Sequence, residues 1–137
     1  NIAPTKSHTA SVADLSVLRV DQPGAIVAYD FEMADAPAGA VYFSSMPALR
    51  IIDIVIRKTG IVGSGGDTVT VQTNVGAGYF DLFTAVDIGS AVGVVTRPVA
   101  GWAFAQSHCP AGSGFSIVTT GGAGDNAFEM TIFAIVK

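Results

Sequence analysis

The residues best suited to chemistry are the adjacent His108 and Cys109, because a histidine can serve as the base for a cysteine nucleophile. Neighbouring residues of a β-strand point to opposite faces of the sheet, so these two side chains meet only if the chain turns there. Pro110 and Gly112 indicate such a turn. No Asn or Asp that would orient the histidine is identifiable, however, and we expect both residues to have structural or loop roles.

A second candidate is the carboxylate pair of Asp30 and Glu32, which lie two residues apart and therefore share one face of a strand. General acid–base catalysis requires one carboxyl group in an apolar setting that raises its pKa. The alternation around Asp30 and Glu32 puts both on the polar face. We therefore expect both carboxylates to be solvated.

Metal ligands are equally sparse. Two histidines and one cysteine give no zinc-like spacing, and His8 is expected to be solvated. Residues 121–128 resemble one copy of a calcium-binding nonapeptide, but Asn126 replaces its aspartate and such repeats need stacked neighbours. No phosphate loop, dinucleotide fingerprint or nucleophile elbow occurs. The sequence therefore predicts no catalytic residue, no metal and no cofactor.

The composition points to protein partners. Hydrophobic residues make up 50% of the 137-residue chain and charged residues only 13%, against about a quarter in most soluble domains. The net charge of −4 and seven scattered basic residues argue against nucleic acid and anionic membranes. No apolar run reaches the roughly 18–20 residues of a membrane helix. A single cysteine and no visible signal peptide fit assembly in a reducing cytoplasm.

The elements that must position these residues are short strands. Residues 25–33 and 67–75 alternate strictly between apolar and polar side chains, which indicates half-buried strands. A Pro-Gly turn at residues 22–24 separates two strands, and residues 80–88 are predicted as one short helical connection capped by Asp81. Trp102 is expected in the core. Further strands are predicted at residues 14–20, 40–44, 48–58, 92–99, 102–107, 114–120 and 127–136.

Two predicted strands are apolar on both faces. In residues 48–58 the isoleucines at 52, 54 and 56 form one face, and in residues 127–136 Phe128, Met130, Ile132 and Val136 do so. Strands of this kind are usually covered on both faces, here either by another subunit or by a helix or arm of the same chain. The predicted interface consists of the opposite apolar residues Leu49, Ile51, Val55, Phe133 and Ile135.

At residues 65–72, 81–89, 109–120 and 128–136, the chain resembles the small jelly-roll head decoration (cement) proteins of tailed bacteriophages. The resemblance covers residues 25–137 as architecture. It implies an all-β jelly-roll or Greek-key sandwich of about eight strands, without enzymatic activity. It also implies a homotrimer on the major capsid protein shell, at the outer surface of a virion assembled in the host cytoplasm.

Such proteins commonly bridge subunits with an extended terminal arm. The chain then divides into residues 1–20, an arm and first strand, and residues 21–137, the sandwich. The arm predicted to contact the capsid comprises Asn1, Ile2, Ala3, Pro4, Thr5, Lys6 and Ser7.

Two other functions compete with this one. A trimeric tail or spike module would recognise a host-surface glycan or receptor through loops at residues 37–39, 61–67 and 121–126. An enzyme on a cupin-like scaffold would need a metal triad of histidine and carboxylate. Because the two histidines are far apart in the sequence, the enzyme is disfavoured.

Overall fold

The computed structural model describes residues 2–9, 14–20, 23–33, 39–60, 68–88, 92–120 and 127–137. Residues 2–9 pair with residues 14–20 as two antiparallel strands. The described residues form twelve strands and one 3₁₀-helix: β1 (Ile2–Thr9), β2 (Asp14–Val20), β3 (Ile26–Met33), β4 (Gly39–Phe43), β5 (Leu49–Lys58), β6 (Thr68–Asn74), β7 (Tyr79–Asp81), β8 (Val86–Asp87), β9 (Val95–Thr96), the 3₁₀-helix (Phe104–Ser107), β10 (His108–Cys109), β11 (Gly114–Thr120) and β12 (Phe128–Val136).

The strands form two antiparallel sheets. The first sheet has the order β1-β2-β3-β12-β5-β10, with β9 also pairing with β5, and the second has the order β4-β11-β6-β7, with β8 also pairing with β6. The pairs are nested, since β3 pairs with β12, β4 with β11, β5 with β10 and β6 with β7. This winding is that of a jelly roll, and it confirms the predicted all-β sandwich.

The core lies between the two sheets. Alternate residues of β3 and β12 point into it, which is why period-two sequences fold this way. Aromatic rings join the layers: Phe31 meets Phe43 of the second sheet edge to face at 5.7 Å, and Tyr29 meets Phe115 at 6.0 Å. All four side chains are buried, and burying each one stabilises the fold by about 1.5–3 kcal/mol.

Strand β5 contains a β-bulge. Phe133 of β12 pairs with Asp53, whereas the next residue, Ala134, pairs with Ile51, so Ile52 is the extra residue. The bulge moves the alternation by one position. Leu49 and Ile51 consequently point into the core with 0% and 1% exposure. Their predicted outward placement is wrong, because the prediction assumed an unbroken two-residue period.

The helix predicted at residues 80–88 is also wrong. Strands β7 and β8 occupy this segment and pair with β6. Between them the Leu82 N–H donates to the Val71 carbonyl at 2.8 Å, and the Thr70 hydroxyl donates to the Phe83 carbonyl at 3.0 Å. These bonds hold the segment along the sheet edge, and they outweigh a helix too short to be stable by itself.

Two predicted strands are wrong: one is much shorter than expected, and the other is not a strand. Of residues 92–99, only β9 pairs in a sheet among the described positions. Residues 102–107 contain the 3₁₀-helix instead of a strand, and the Ser107 hydroxyl donates to the Phe104 carbonyl at 2.6 Å within it. The remaining predicted strands lie within one or two residues of those observed.

The N-terminal residues extend the first sheet. Strand β1 pairs with β2, which pairs with β3. The predicted turn before β3 is present at Pro23 and Gly24. There Gly24 has a φ of +85° and donates its N–H to the Val136 carbonyl at 2.6 Å. Within the described residues, no helix is long and apolar enough to cross a membrane.

Candidate assembly surface

The outer face of the first sheet carries an apolar patch, which we define by Ile26, Ala28, Ile52, Phe133 and Ile135. Ile135 pairs with Ile26 of β3, and Phe133 pairs with Ala28, so four of these residues form two adjacent rows. Ile26 is 64% exposed and Ile52 37% exposed, while Phe133 and Ile135 are half-buried. The isolated chain therefore leaves a cluster of large apolar side chains partly in water.

The other end of the same face is polar. Asp30 and Glu32 are exposed, as expected from the sequence. The Asp30 carboxylate accepts a hydrogen bond from Thr131 at 2.8 Å, and Arg57 pairs with Glu129 at 2.7 Å. These contacts bridge neighbouring strands. The polar end therefore marks one boundary of the apolar patch.

Next to the patch, beside β10, lies a cluster of aromatic and basic side chains. The Arg50 guanidinium lies 5.1 Å from the centre of the Phe104 ring, and Phe104 meets His108 edge to face at 4.8 Å. Phe104 is 61% exposed. Burial, together with Lys137 and Arg50, lowers the pKa of His108, which favours the neutral imidazole.

His108 and Cys109 do not form a catalytic pair. Cys109 is buried on the core side of β10, whereas His108 lies on the outer side. Burial raises the pKa of the Cys109 thiol to about 11, so it remains protonated at neutral pH. Cys109 therefore packs in the core, and His108 lies at the surface of the first sheet.

A shallow depression of about 240 Å³ lies at the free edge of β5, where the bulge separates β9 from β10. Of the described residues that line it, Asp53 is the one with an ionisable side chain, and Arg97 lies 3.7 Å from that carboxylate. Trp102 forms one wall and stacks on Phe83. It was predicted in the core, but it is only partly buried and packs against the core from outside. Among the described residues, no three His, Cys, Asp or Glu side chains are placed to hold a metal.

The predicted interface residues divide into two groups. Phe133 and Ile135 lie in the apolar patch, and Val55 lies on the same face beside Thr131, half-buried. Leu49 and Ile51 belong to the core. Residues 2–7 lie in β1, which β2 and β3 separate from β12. Asn1 and the predicted loop residues 37–38, 61–67 and 121–126 are outside the described part of the chain.

Ile26 was missed by the sequence prediction. Val27, Tyr29 and Phe31 form the buried face of β3, so Ile26 belongs to the same face as Asp30. A single aliphatic residue on a polar face is common on protein surfaces and is no signal by itself. Ile26 becomes informative only because β3 pairs with β12, which places it beside Ile135.

Two solved phage structures resemble this chain. A chain of the capsid of Ralstonia phage GP4 matches with a TM-score of 0.58 and 18% identity, over 87% of this chain and 89% of that one. A chain of the cyanophage Pam1 capsid asymmetric unit matches with a TM-score of 0.51 and 9% identity, over 97% and 91%. This fold occurs in phage capsids. A comparison with protein-family models and with curated proteins finds no match.

Proposed function

We propose that this chain is a non-enzymatic structural protein of a phage virion, namely a head decoration (cement) protein that forms a homotrimer on the outer surface of the capsid. The observation that carries the proposal is the jelly roll shared over nearly the whole chain with two phage capsid structures. The surroundings of Cys109 support the non-enzymatic part of the proposal, because its thiol is buried and protonated and therefore is not available as a nucleophile.

The apolar patch supports assembly. Ile26, Phe133 and Ile135 form a continuous group on one sheet, and covering each side chain with a neighbouring molecule gains up to about 1.5–3 kcal/mol. Exposed apolar patches rimmed by polar residues are typical of protein interfaces. The Arg57–Glu129 pair and the Arg50–Phe104 contact provide such a rim.

The proposed arm is residues 1–7. Six of these residues lie in β1, which is the last strand on its side of the first sheet in the described chain. An edge strand presents unpaired backbone N–H and C=O groups that a second protein can pair with. We therefore assign contact with the major capsid protein to this edge and contact between copies to the apolar patch.

The test is binding to empty shells of the major capsid protein encoded in the same genome. We expect the purified chain to cosediment with the shells saturably, in multiples of three copies, and to raise their melting temperature. Removal of residues 1–7 should weaken this binding without changing the mass of the free oligomer. Shells that neither bind the chain at micromolar concentration nor become more heat-resistant would contradict the proposal.

A further inference from the structure

The outer face of the second sheet, on the opposite side of the sandwich, carries a different set of side chains. Ser116 of β11 pairs with Tyr42 of β4 and with Gln72 of β6, and Gln72 pairs with Asp81 of β7. These four residues form one row across four strands, about 14 Å long. Val41, Ile117 and Val71 alternate with them and face the core.

Two tyrosine rings cover the middle of this row. The rings of Tyr42 and Tyr79 lie 5.2 Å apart at a 71° angle, although β11 and β6 separate their strands. Both side chains must therefore extend over the strands between them. The residues of β11 at this level are Gly114 and Ser116, which are small enough to leave room for the rings. Tyr42 nevertheless remains 56% exposed.

Beneath the rings the Ser116 hydroxyl has no hydrogen-bond partner. The residue is fully buried, and its Oγ is the one buried side-chain oxygen or nitrogen in the described residues that lacks a partner. A buried hydroxyl without a partner destabilises a fold. A ligand hydroxyl would supply the missing hydrogen bond once the two rings, which are in contact at 5.2 Å, move apart to admit it.

The remaining polar groups of the row suit a polyhydroxy ligand. Gln72 Nε2 donates to one oxygen of Asp81 at 2.8 Å, which leaves the other carboxylate oxygen and the amide oxygen to accept from hydroxyl groups. No Lys or Arg belongs to the described strands of this sheet. An anionic ligand would thus find a carboxylate and no cation.

We propose that this face is a binding site for a neutral glycan. The apolar C–H face of a sugar ring packs on Tyr42 and Tyr79, and its hydroxyls bond with Gln72 and Asp81. One hydroxyl reaches Ser116 when the two tyrosine rings separate. The site is separate from the apolar patch and goes beyond the proposed capsid role. Its test uses the free protein, so its failure and the failure of the shell-binding experiment are distinguishable.

The experiment titrates the full chain with neutral gluco-, manno-, galacto- and xylo-oligosaccharides, followed by NMR or calorimetry. Sialylated and sulfated oligosaccharides serve as anionic probes. We expect saturable binding to at least one neutral probe and weaker or no binding to the anionic ones. Tyr42→Ala and Tyr79→Ala should each reduce the affinity about tenfold or more, which corresponds to about 1.4 kcal/mol. Phe104→Ala, which removes a similarly exposed aromatic ring from the 3₁₀-helix beside the first sheet, should leave the affinity unchanged.

Ser116→Ala separates a binding role from a structural one. Because it removes an unpartnered buried hydroxyl, we expect an unchanged or higher melting temperature together with a lower glycan affinity. An unchanged affinity in this variant would overturn the assignment of Ser116. The absence of binding to every neutral probe at millimolar concentration, or affinities unaffected by Tyr42→Ala and Tyr79→Ala, would overturn the site itself.

Discussion

At the scale of single residues, the two side chains best suited to chemistry lie on opposite faces of one strand. His108 and Cys109 are adjacent in the sequence, but in β10 His108 lies at the surface and Cys109 lies in the core. Strand geometry alone predicts this separation. The degree of burial of Cys109 could not be predicted, because it depends on where β10 pairs with the distant β5.

The burial of Cys109 predicts how stability depends on pH. Burial raises its pKa from 9.0 to about 11, so the folded chain keeps the thiol proton at pH values where the unfolded chain has lost it. This contribution to stability is complete below pH 9 and is lost as the pH rises towards 11. We expect the free energy of unfolding of the wild type to fall more steeply over this interval than that of Cys109→Ala.

Urea denaturation from pH 7 to 10.5 measures this difference, and the shared titration of other groups cancels between the two proteins. Thiol labelling of the folded wild type at pH 8 provides a second measure and should be slow until urea unfolds the chain. Parallel pH profiles for the two proteins, together with rapid labelling in the folded state, would contradict the burial of this thiol.

At the scale of elements, alternation predicted the central strands well. The boundaries of β2 and β11 agree with the sequence prediction, and those of β3, β5, β6 and β12 lie within one or two residues of it. Alternation could not reveal the bulge at Ile52, because an extra residue produces no local composition signal. It also could not order the strands, since β3 and β12 pair across about a hundred residues and other Greek-key topologies satisfy the same pattern.

The bulge makes a sharp prediction about deletions. Removing Ile52 joins Ile51 to Asp53 in the regular ladder with β12, so every other side chain of β5 keeps its face. We expect this variant to fold with a loss of about 1 kcal/mol. Removing Val55 instead places Asp53 in the core position of Ile54. The buried unpaired charge should cost about 3–5 kcal/mol or more.

Thermal melting followed by circular dichroism compares the two deletions, which differ only in the position removed within one strand. A loss of fold on deletion of Ile52, with deletion of Val55 tolerated, would show that β5 pairs with β12 in another register.

At the scale of the whole molecule, the composition and the structure agree. A chain with 13% charged residues folds into a sandwich that still leaves Ile26 64% exposed beside the half-buried Phe133 and Ile135. The expectation that one sheet needs an outside cover therefore remains, although its residues differ. Leu49 and Ile51, which were predicted at the interface, are part of the core. Ile26, which was not predicted there, lies in the apolar patch.

The central claim is that another copy of the chain covers the apolar patch. Phe133→Ser tests it, because this side chain lies at the centre of the patch and is incompletely buried within the chain. Phe80→Ser is the matched control, since Phe80 is 52% exposed at the edge of the second sheet. Both variants lose the same aromatic ring. Because Phe133 is the more buried of the two, the melting temperatures separate a loss of fold from a loss of association.

The deciding measurement is the mass in solution by light scattering after gel filtration, at micromolar concentration, with melting temperatures recorded for each protein. We predict a wild type and a Phe80→Ser variant at three times the 14.0 kDa chain mass, and a folded Phe133→Ser variant shifted towards the monomer. A monomeric wild type, or a Phe133→Ser variant that loses its fold while remaining associated, would contradict the account.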